Sequence, residues 1–264
     1  SDSGNGGSST VGVYQINTGV TSATSFEGWG ASGWGSGPFN TGESSVEELR
    51  VWSQQNFGED LIFGYRNGPI YYWDASNTLS TRAVELSSLS GASAVPTIQN
   101  FILVSDINRF VFCFGTTPIG SATKDPMIIR WSDQEDATNW TPAATNQAGS
   151  LRLSRGTEIV AAAQARQEVL VWTDSSLYSL QYVGAGSGVW AAQLVGEQIS
   201  IASQNSVAYA SGVSYWMGKD KFYMYDGSTQ PLQCDLRKYV FTDFNTEQYN
   251  QVFGGSNEAF NEVW

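Results

Sequence analysis

The sequence predicts an all-β fold, a β-propeller-like array of antiparallel hairpins with one or two short helices near the C-terminal end. Three observations carry this expectation. Short apolar runs with period-2 alternation are separated by Gly, Asn and Asp turns. Aromatic residues make up 13% of the 264 residues and charged residues only 14%. Aromatic return strands ending near Trp73, Trp131, Leu180 and Tyr225 recur at roughly 45 to 60 residues, near the span of a propeller blade.

Three segments share one pattern: an apolar strand, a short polar turn and an aromatic-rich return. The first is Leu61–Tyr65, Asn67-Gly68 and Ile70–Ser76. The second is Val169–Trp172, Asp174-Ser175 and Leu177–Leu180. The third is Val213–Met217, Lys219-Asp220 and Phe222–Ser228. Each reads as a β-hairpin. A fourth hairpin is expected from Phe101–Val104 and Phe110–Phe114, followed by a strand at Met127–Trp131. A sheet that cannot bury its own faces must stack on copies of itself, and radial stacking leaves only short edges. Asn67-Gly68 and Asp226-Gly227 read as turn dipeptides in which Gly tolerates positive φ.

Two stretches depart from the pattern. Ile159–Ala163 is Ala-rich but is still compatible with a strand leading into Val169. From Leu236 to Val252 the spacing of Tyr239, Val240, Phe244, Tyr249 and Val252 is near helical, and Asn245-Thr246-Glu247 resembles a helix start.

The N-terminal 45 residues differ from the remainder. Residues 1–10 are a Gly/Ser-rich linker or loop, and Val11–Ile16 is a short strand candidate. Residues 27–45 place Trp29, Trp34 and Phe39 among glycines, which excludes a regular helix. These rings either pin an irregular loop to the body or contact a neighbouring subunit, since Trp is enriched at interfaces. The division expected is a loop or insertion region over 1–45 and a propeller-like domain over 46–264. The chain does not open with Met and stops inside an apolar-patterned segment, Asn261–Trp264, so it reads as an internal piece of a longer protein.

The formal charge of −12 argues against stable binding to nucleic-acid phosphates. There is no His, which excludes Ser-His-Asp and Cys-His chemistry and every His-ligated metal site. The two cysteines, Cys113 and Cys234, read as buried free thiols, with a disulfide the alternative. No apolar run is long enough to span a membrane.

Carboxylates are the remaining candidates for acid/base work. Asp133, Glu135 and Asp136 cluster in one short segment. The simplest reading is an acidic β-turn whose side chains accept nearby backbone N–H groups. A calcium site is the sharper reading, but the ordered alternation and Gly of an EF-hand loop are absent. Residues Ile129–Asp133 and Asn139–Thr141 are loosely similar to the Asp-box turn of sialidase-type propellers, lacking its Gly, and that turn is structural even where it is complete. No phosphate loop, nucleophile elbow or dinucleotide fingerprint is present, and no cofactor is implied. Gly184–Gly188 has the Gly content of a phosphate loop but reads as a wide turn.

Several longer runs resemble the structural proteins of podovirus-like bacteriophages. They are Ile129–Pro142 with Ala148–Leu153, Val169–Tyr182, Tyr215–Gly218 with Phe222–Gly227, and Phe260–Trp264. The resemblance covers roughly residues 46–264. It implies a non-enzymatic tail protein of the nozzle or hub type, located in the virion. Such a protein forms a ring of six copies below the portal, contacts the adaptor and tail fibre, and helps retain the packaged genome. The family has no catalytic residues to carry over. A channel lined with carboxylates would let DNA pass without sticking, and Asp133, Glu135 and Asp136 are the lining candidates. Trp29, Trp34 and Phe39 are the subunit-interface candidates. Two alternatives belong to other classes. One is a carbohydrate-binding propeller, using Trp73-Asp74 or Tyr225-Asp226. The other is a tail-associated glycoside hydrolase, for which the sequence singles out no carboxylate pair.

Overall fold

The computed structural model describes residues 50–106, 108–184, 188–260 and 262–264. The strand candidate Val11–Ile16 and the interface candidates Trp29, Trp34 and Phe39 lie outside the described residues.

Four consecutive four-stranded antiparallel sheets follow one another along the chain. The first holds β1 (Trp52–Phe57), β2 (Asp60–Tyr65), β3 (Ile70–Trp73) and β4 (Val84–Glu85). The second holds β5 (Phe101–Val104), β6 (Val111–Thr116), β7 (Asp125–Trp131) and β8 (Gly149–Arg152). The third holds β9 (Ile159–Gln164), β10 (Val169–Thr173), β11 (Ser176–Gly184) and β12 (Val189–Glu197). The fourth holds β13 (Val207–Ala210), β14 (Val213–Met217), β15 (Phe222–Tyr225) and β16 (Thr229–Pro231). A short pair, β17 (Ser256–Asn257) and β18 (Glu262–Val263), comes after them.

Within each four-stranded sheet the spatial order equals the chain order, so each is a simple meander. The first strands of successive sheets are neighbours: β1 with β5, β5 with β9, β9 with β13 and β13 with β17. Sheets that share an inner edge in this way fan out radially, which is the propeller-like arrangement expected. The Ala-rich run is a strand, β9. A residue as small as Ala161 suits this position, since it is fully buried against the next sheet.

The hydrophobic core lies between sheets. Ile62, Ile70 and Leu86 of the first unit meet Ile102, Val104, Val111 and Cys113 of the second. Phe110, Phe112 and Phe114 of the second meet Val169, Val171 and Trp190 of the third. Leu170, Trp172 and Leu177 of the third meet Trp216, Tyr223 and Tyr225 of the fourth, with the Trp172 and Trp216 rings edge-on at 5.2 Å. Burying one such side chain contributes about 1.5–3 kcal/mol. The β5, β6 and β10 strands are buried at every position, whereas β1 and β14 alternate. Among the described residues the middle sheets are therefore covered on both faces and the outer two on one.

Turn chemistry explains the hairpins, with one correction. At Asn67-Gly68 the positive φ belongs to Asn67 (61°) and not to Gly68. Gly68 is needed for a different reason: a Cβ there would lie 2.3 Å from the Tyr65 ring. At Asp226-Gly227 the expectation holds, with Gly227 at φ 115°. Both cysteines are free, but only Cys113 is buried; Cys234 is partly exposed. The C-terminal helices are α1 (Arg237–Thr242) and a 3₁₀ segment over Thr246–Gln251. Phe241 anchors α1 by packing on Phe222 with centroids 5.3 Å apart.

Candidate functional surfaces

The acidic turn joins β7 to β8, the third and fourth strands of the second sheet. Asp133 is half-buried, and its Oδ1 accepts the backbone N–H of Gln134 and of Gln147, both at 2.8 Å. Asp136 Oδ1 accepts the N–H and the hydroxyl of Thr138, at 2.9 and 2.7 Å. Glu135 is exposed and has a left-handed backbone (φ 57°). Two of the three carboxylates therefore close the loop, and only Glu135 projects freely into solvent. Among the described residues, no group of three His, Cys, Asp or Glu side chains is arranged to hold a metal ion.

The same turn surrounds a buried cation. Arg130, on β7, is 2% exposed. Its guanidinium donates to the carbonyls of Thr117 (3.0 Å), Trp140 (3.4 Å) and Ala94, and lies 5.9 Å from the Trp140 ring. Burial lowers its pKa from the ordinary value. Cys113, opposite Arg130 on β6, has its thiol pushed well up by burial. A group so desolvated is a poor nucleophile.

Other carboxylates are likewise committed to backbone. Asp60 accepts from Ala75 N–H at 2.9 Å and from the Tyr72 hydroxyl. Asp174 accepts the N–H and hydroxyl of Thr157, each at 2.8 Å. Its pKa falls because these bonds, with others from the backbone, outweigh the rise from burial.

The two aromatic-Asp pairs behave as turn residues. Tyr225 is buried, and its pKa is pushed up to about 12, chiefly by burial and then by the charge and hydrogen bond of Glu168. Asp226 accepts from Ser228 N–H and hydroxyl, both at 3.2 Å. Trp73 is half-buried and donates its ring N–H to Thr81 O at 3.0 Å, while Asp74 caps Ser76 N–H at 2.8 Å.

Two surfaces escaped the sequence reading. On the first sheet, the register brings Trp52, Tyr65, Phe63, Tyr71 and Trp73 to the face turned away from the second sheet. Phe63 and Tyr71 stack at 5.4 Å, Trp52 meets Tyr65 at 5.3 Å, and Arg50 lies 4.7 Å over the Tyr65 ring. The period-2 pattern was visible in the sequence, but not which face would lack a neighbour among the described residues. At the C-terminal end, Leu236, Tyr239, Phe253, Phe260 and Trp264 are exposed. Open depressions of about 540 and 300 Å³ lie along α1 and beside Trp264. The available signal was charge: no Lys or Arg follows Lys238.

No family model and no curated protein matches the chain. Among solved structures, it is similar to the computationally designed Ika8 protein, with 15% identity and a TM-score of 0.38, over 68% of this chain and 47% of that one. It is also similar to BamB from Moraxella catarrhalis, with 12% identity and a TM-score of 0.33, over 71% of this chain and 62% of that one. The chain thus spans less than two thirds of either structure. The all-β, propeller-like description rests on this chain's own sheet order and inner-strand adjacency. No helix among the described residues is long and apolar enough to cross a membrane.

Proposed function

We propose that the chain is a ring-forming structural component of a short phage tail, of the nozzle or hub type, and not an enzyme. The observation that carries the reading is the coincidence of the phage-like runs with the repeating unit. Residues 129–142 start in β7 and continue through the turn after it. Residues 169–182 cover β10 and most of β11, and residues 215–227 cover the second hairpin of the fourth sheet. The runs in the third and fourth sheets thus cover equivalent hairpins, β10–β11 and β14–β15, while the run in the second sheet covers the end of β7 and the turn toward β8.

The physical character of the chain supports a scaffold. Carboxylates that a hydrolase would need free are bonded to backbone groups at Asp60, Asp133 and Asp174. Exposed Trp52 with the half-buried aromatics beside it on the first sheet, and the exposed aromatics at the C-terminal end, suit contact with neighbouring subunits. In this reading six copies surround the DNA path, the adaptor and tail fibre bind alongside, and the acidic balance keeps the genome from sticking. The carbohydrate-binding reading is less well supported, because Tyr225 is buried and the Trp73 ring N–H is already bonded.

Immunogold electron microscopy of intact virions, with antibody raised against this chain, tests the proposal. Gold confined to the short tail is the expected result. Intact tails without gold, with antibody reacting only with soluble protein, would remove it.

A further inference from the structure

The outer edges of the four sheets are not alike. An outermost strand has unpaired N–H and C=O groups, and proteins protect such edges by brevity, charge or proline. In the first sheet β4 has two residues and ends in Glu85. In the second, β8 has four residues and ends in Arg152, which pairs with Asp125 at 2.7 Å. In the fourth, β16 has three residues and ends in Pro231. The third sheet breaks the rule. Its outer strand, β12, has nine residues and carries no charge from Val189 to Gly196.

The inner edge of β12 is paired with β11 along its length, with a bulge at Val195. Among the described residues its outer edge has no partner in the sheet order. Ala191, Ala192, Gln193 and Leu194 are exposed. No side chain among the described residues bonds to the backbone of these four. Trp190 at its start is buried against Phe112 with centroids 4.9 Å apart. A long, uncharged edge is a template for another strand.

We infer that β12 pairs antiparallel with β12 of a second copy of this chain, about a two-fold axis at Gln193. The side chains along the strand select this occupant. Antiparallel pairing about Gln193 sets Ala192 against the partner's Leu194 on each side of the axis. Each larger side chain then meets a small one, and Gln193 meets its own counterpart, where the two amides can exchange hydrogen bonds. Glu197, the one charge on the strand, falls at opposite ends of the pair, so like charges do not oppose one another. A contact that uses the same patch on both copies is isologous and closes at two. It goes beyond the ring reading, since a ring contact joins two different surfaces.

The test is the particle size of the whole chain, measured by light scattering during size-exclusion chromatography, with two variants. Two copies are expected. Leu194→Lys places a charge on the edge and should weaken association by about tenfold or more. Its circular dichroism should stay unchanged, because β11 still holds the strand. Gln193→Cys, made with Cys234→Ser, should form an inter-chain disulfide under oxidation, since directly opposed residues stand within disulfide reach. A single-copy particle at sub-millimolar concentration would overturn the inference. So would a two-copy particle that survives Leu194→Lys and fails to cross-link through position 193. Neither result bears on where the protein sits in a virion, which immunogold labelling decides separately.

Discussion

Arg66 donates from Nη1 to Oδ1 of Asn250 at 3.3 Å, across 184 residues of chain. Arg66 lies in the turn between β2 and β3, and Asn250 lies in the 3₁₀ segment that follows the fourth sheet. The same segment reaches the β14–β15 turn, where the Tyr249 hydroxyl donates to Lys219 O at 3.3 Å. One short helical segment thus touches equivalent turns of the first and fourth sheets and ties the ends of the array together. Asn250→Ala should lower stability by about 0.5–1.5 kcal/mol, as expected for one partly buried hydrogen bond. Urea denaturation measures this, and an unchanged midpoint would mean that the contact ties nothing.

Arg130 makes a stronger case. Among the described residues no carboxylate pairs with this buried guanidinium, which is held by three backbone carbonyls. Arg130→Met keeps much of the volume but strands those carbonyls in the core. A loss of about 3 kcal/mol or more is expected, from one to three for each acceptor left without a donor. Arg130→Lys keeps the charge but not the planar fork, and should fall between. The urea midpoint should shift at constant slope. A neutral Arg130→Met would show that the loop around Trp140 is not held by this side chain.

Most of the sheet architecture was legible in the sequence, because period-2 alternation and turn dipeptides are local signals. The hairpins at Leu61–Trp73 and Val213–Tyr225, and the helix start near Thr246, appear where the residues place them. What was illegible is relational. Nothing in Asn67-Gly68 reveals that the glycine serves the Tyr65 ring. Nothing in Asp133, Glu135 and Asp136 separates the two loop-closing carboxylates from the exposed one. The aromatic face of the first sheet could not be told from a buried one, since exposure depends on which sheets flank it. Trp29, Trp34 and Phe39 lie outside the described residues.

Gly68→Ala offers a direct check on that close approach. The backbone there does not require glycine, so any cost is steric. The new methyl would overlap the Tyr65 ring, whose three nearest atoms are 2.3 to 2.7 Å away, and the ring must move. A loss of about 1–3 kcal/mol is expected from such overpacking. Gly68→Ala combined with Tyr65→Ala removes the clash, so the two costs should not add. Simple additivity would mean that the ring is not the obstacle.

The acidic turn separates folding from any role along a DNA path. Asp133→Asn weakens the acceptor for two backbone N–H groups and should cost about 1–2 kcal/mol. Glu135→Gln touches no bond of the loop and should leave stability within about 0.5 kcal/mol. If carboxylates at this turn face the genome, Glu135→Gln should still slow ejection from assembled particles. Unchanged ejection kinetics would remove Glu135 from that role without disturbing the fold.

Stability should fall at both ends of the pH scale, for opposite reasons. Burial raises the pKa of Asp125 and Asp174, but hydrogen bonds from Met127 and Arg152, and from Thr157, outweigh it and leave both lowered. A lowered folded pKa contributes stability above the unfolded value, about 3.9, that is lost as pH falls through the folded one. The acid limb should therefore begin near pH 4. Cys113 and Tyr225 behave in the opposite sense, because burial raises both, the thiol strongly and the phenol to about 12. Their stability is complete below the unfolded values, about 8.5 and 10, and is lost as pH rises toward the folded ones. The alkaline decline should start near pH 8.5 and steepen above 10. Tyr225→Phe, which keeps the ring but cannot ionise, should flatten the part between pH 10 and about 12. Denaturant midpoints measured across that range decide it: a Tyr225→Phe curve parallel to the parent would mean that this phenol is not desolvated in the folded protein.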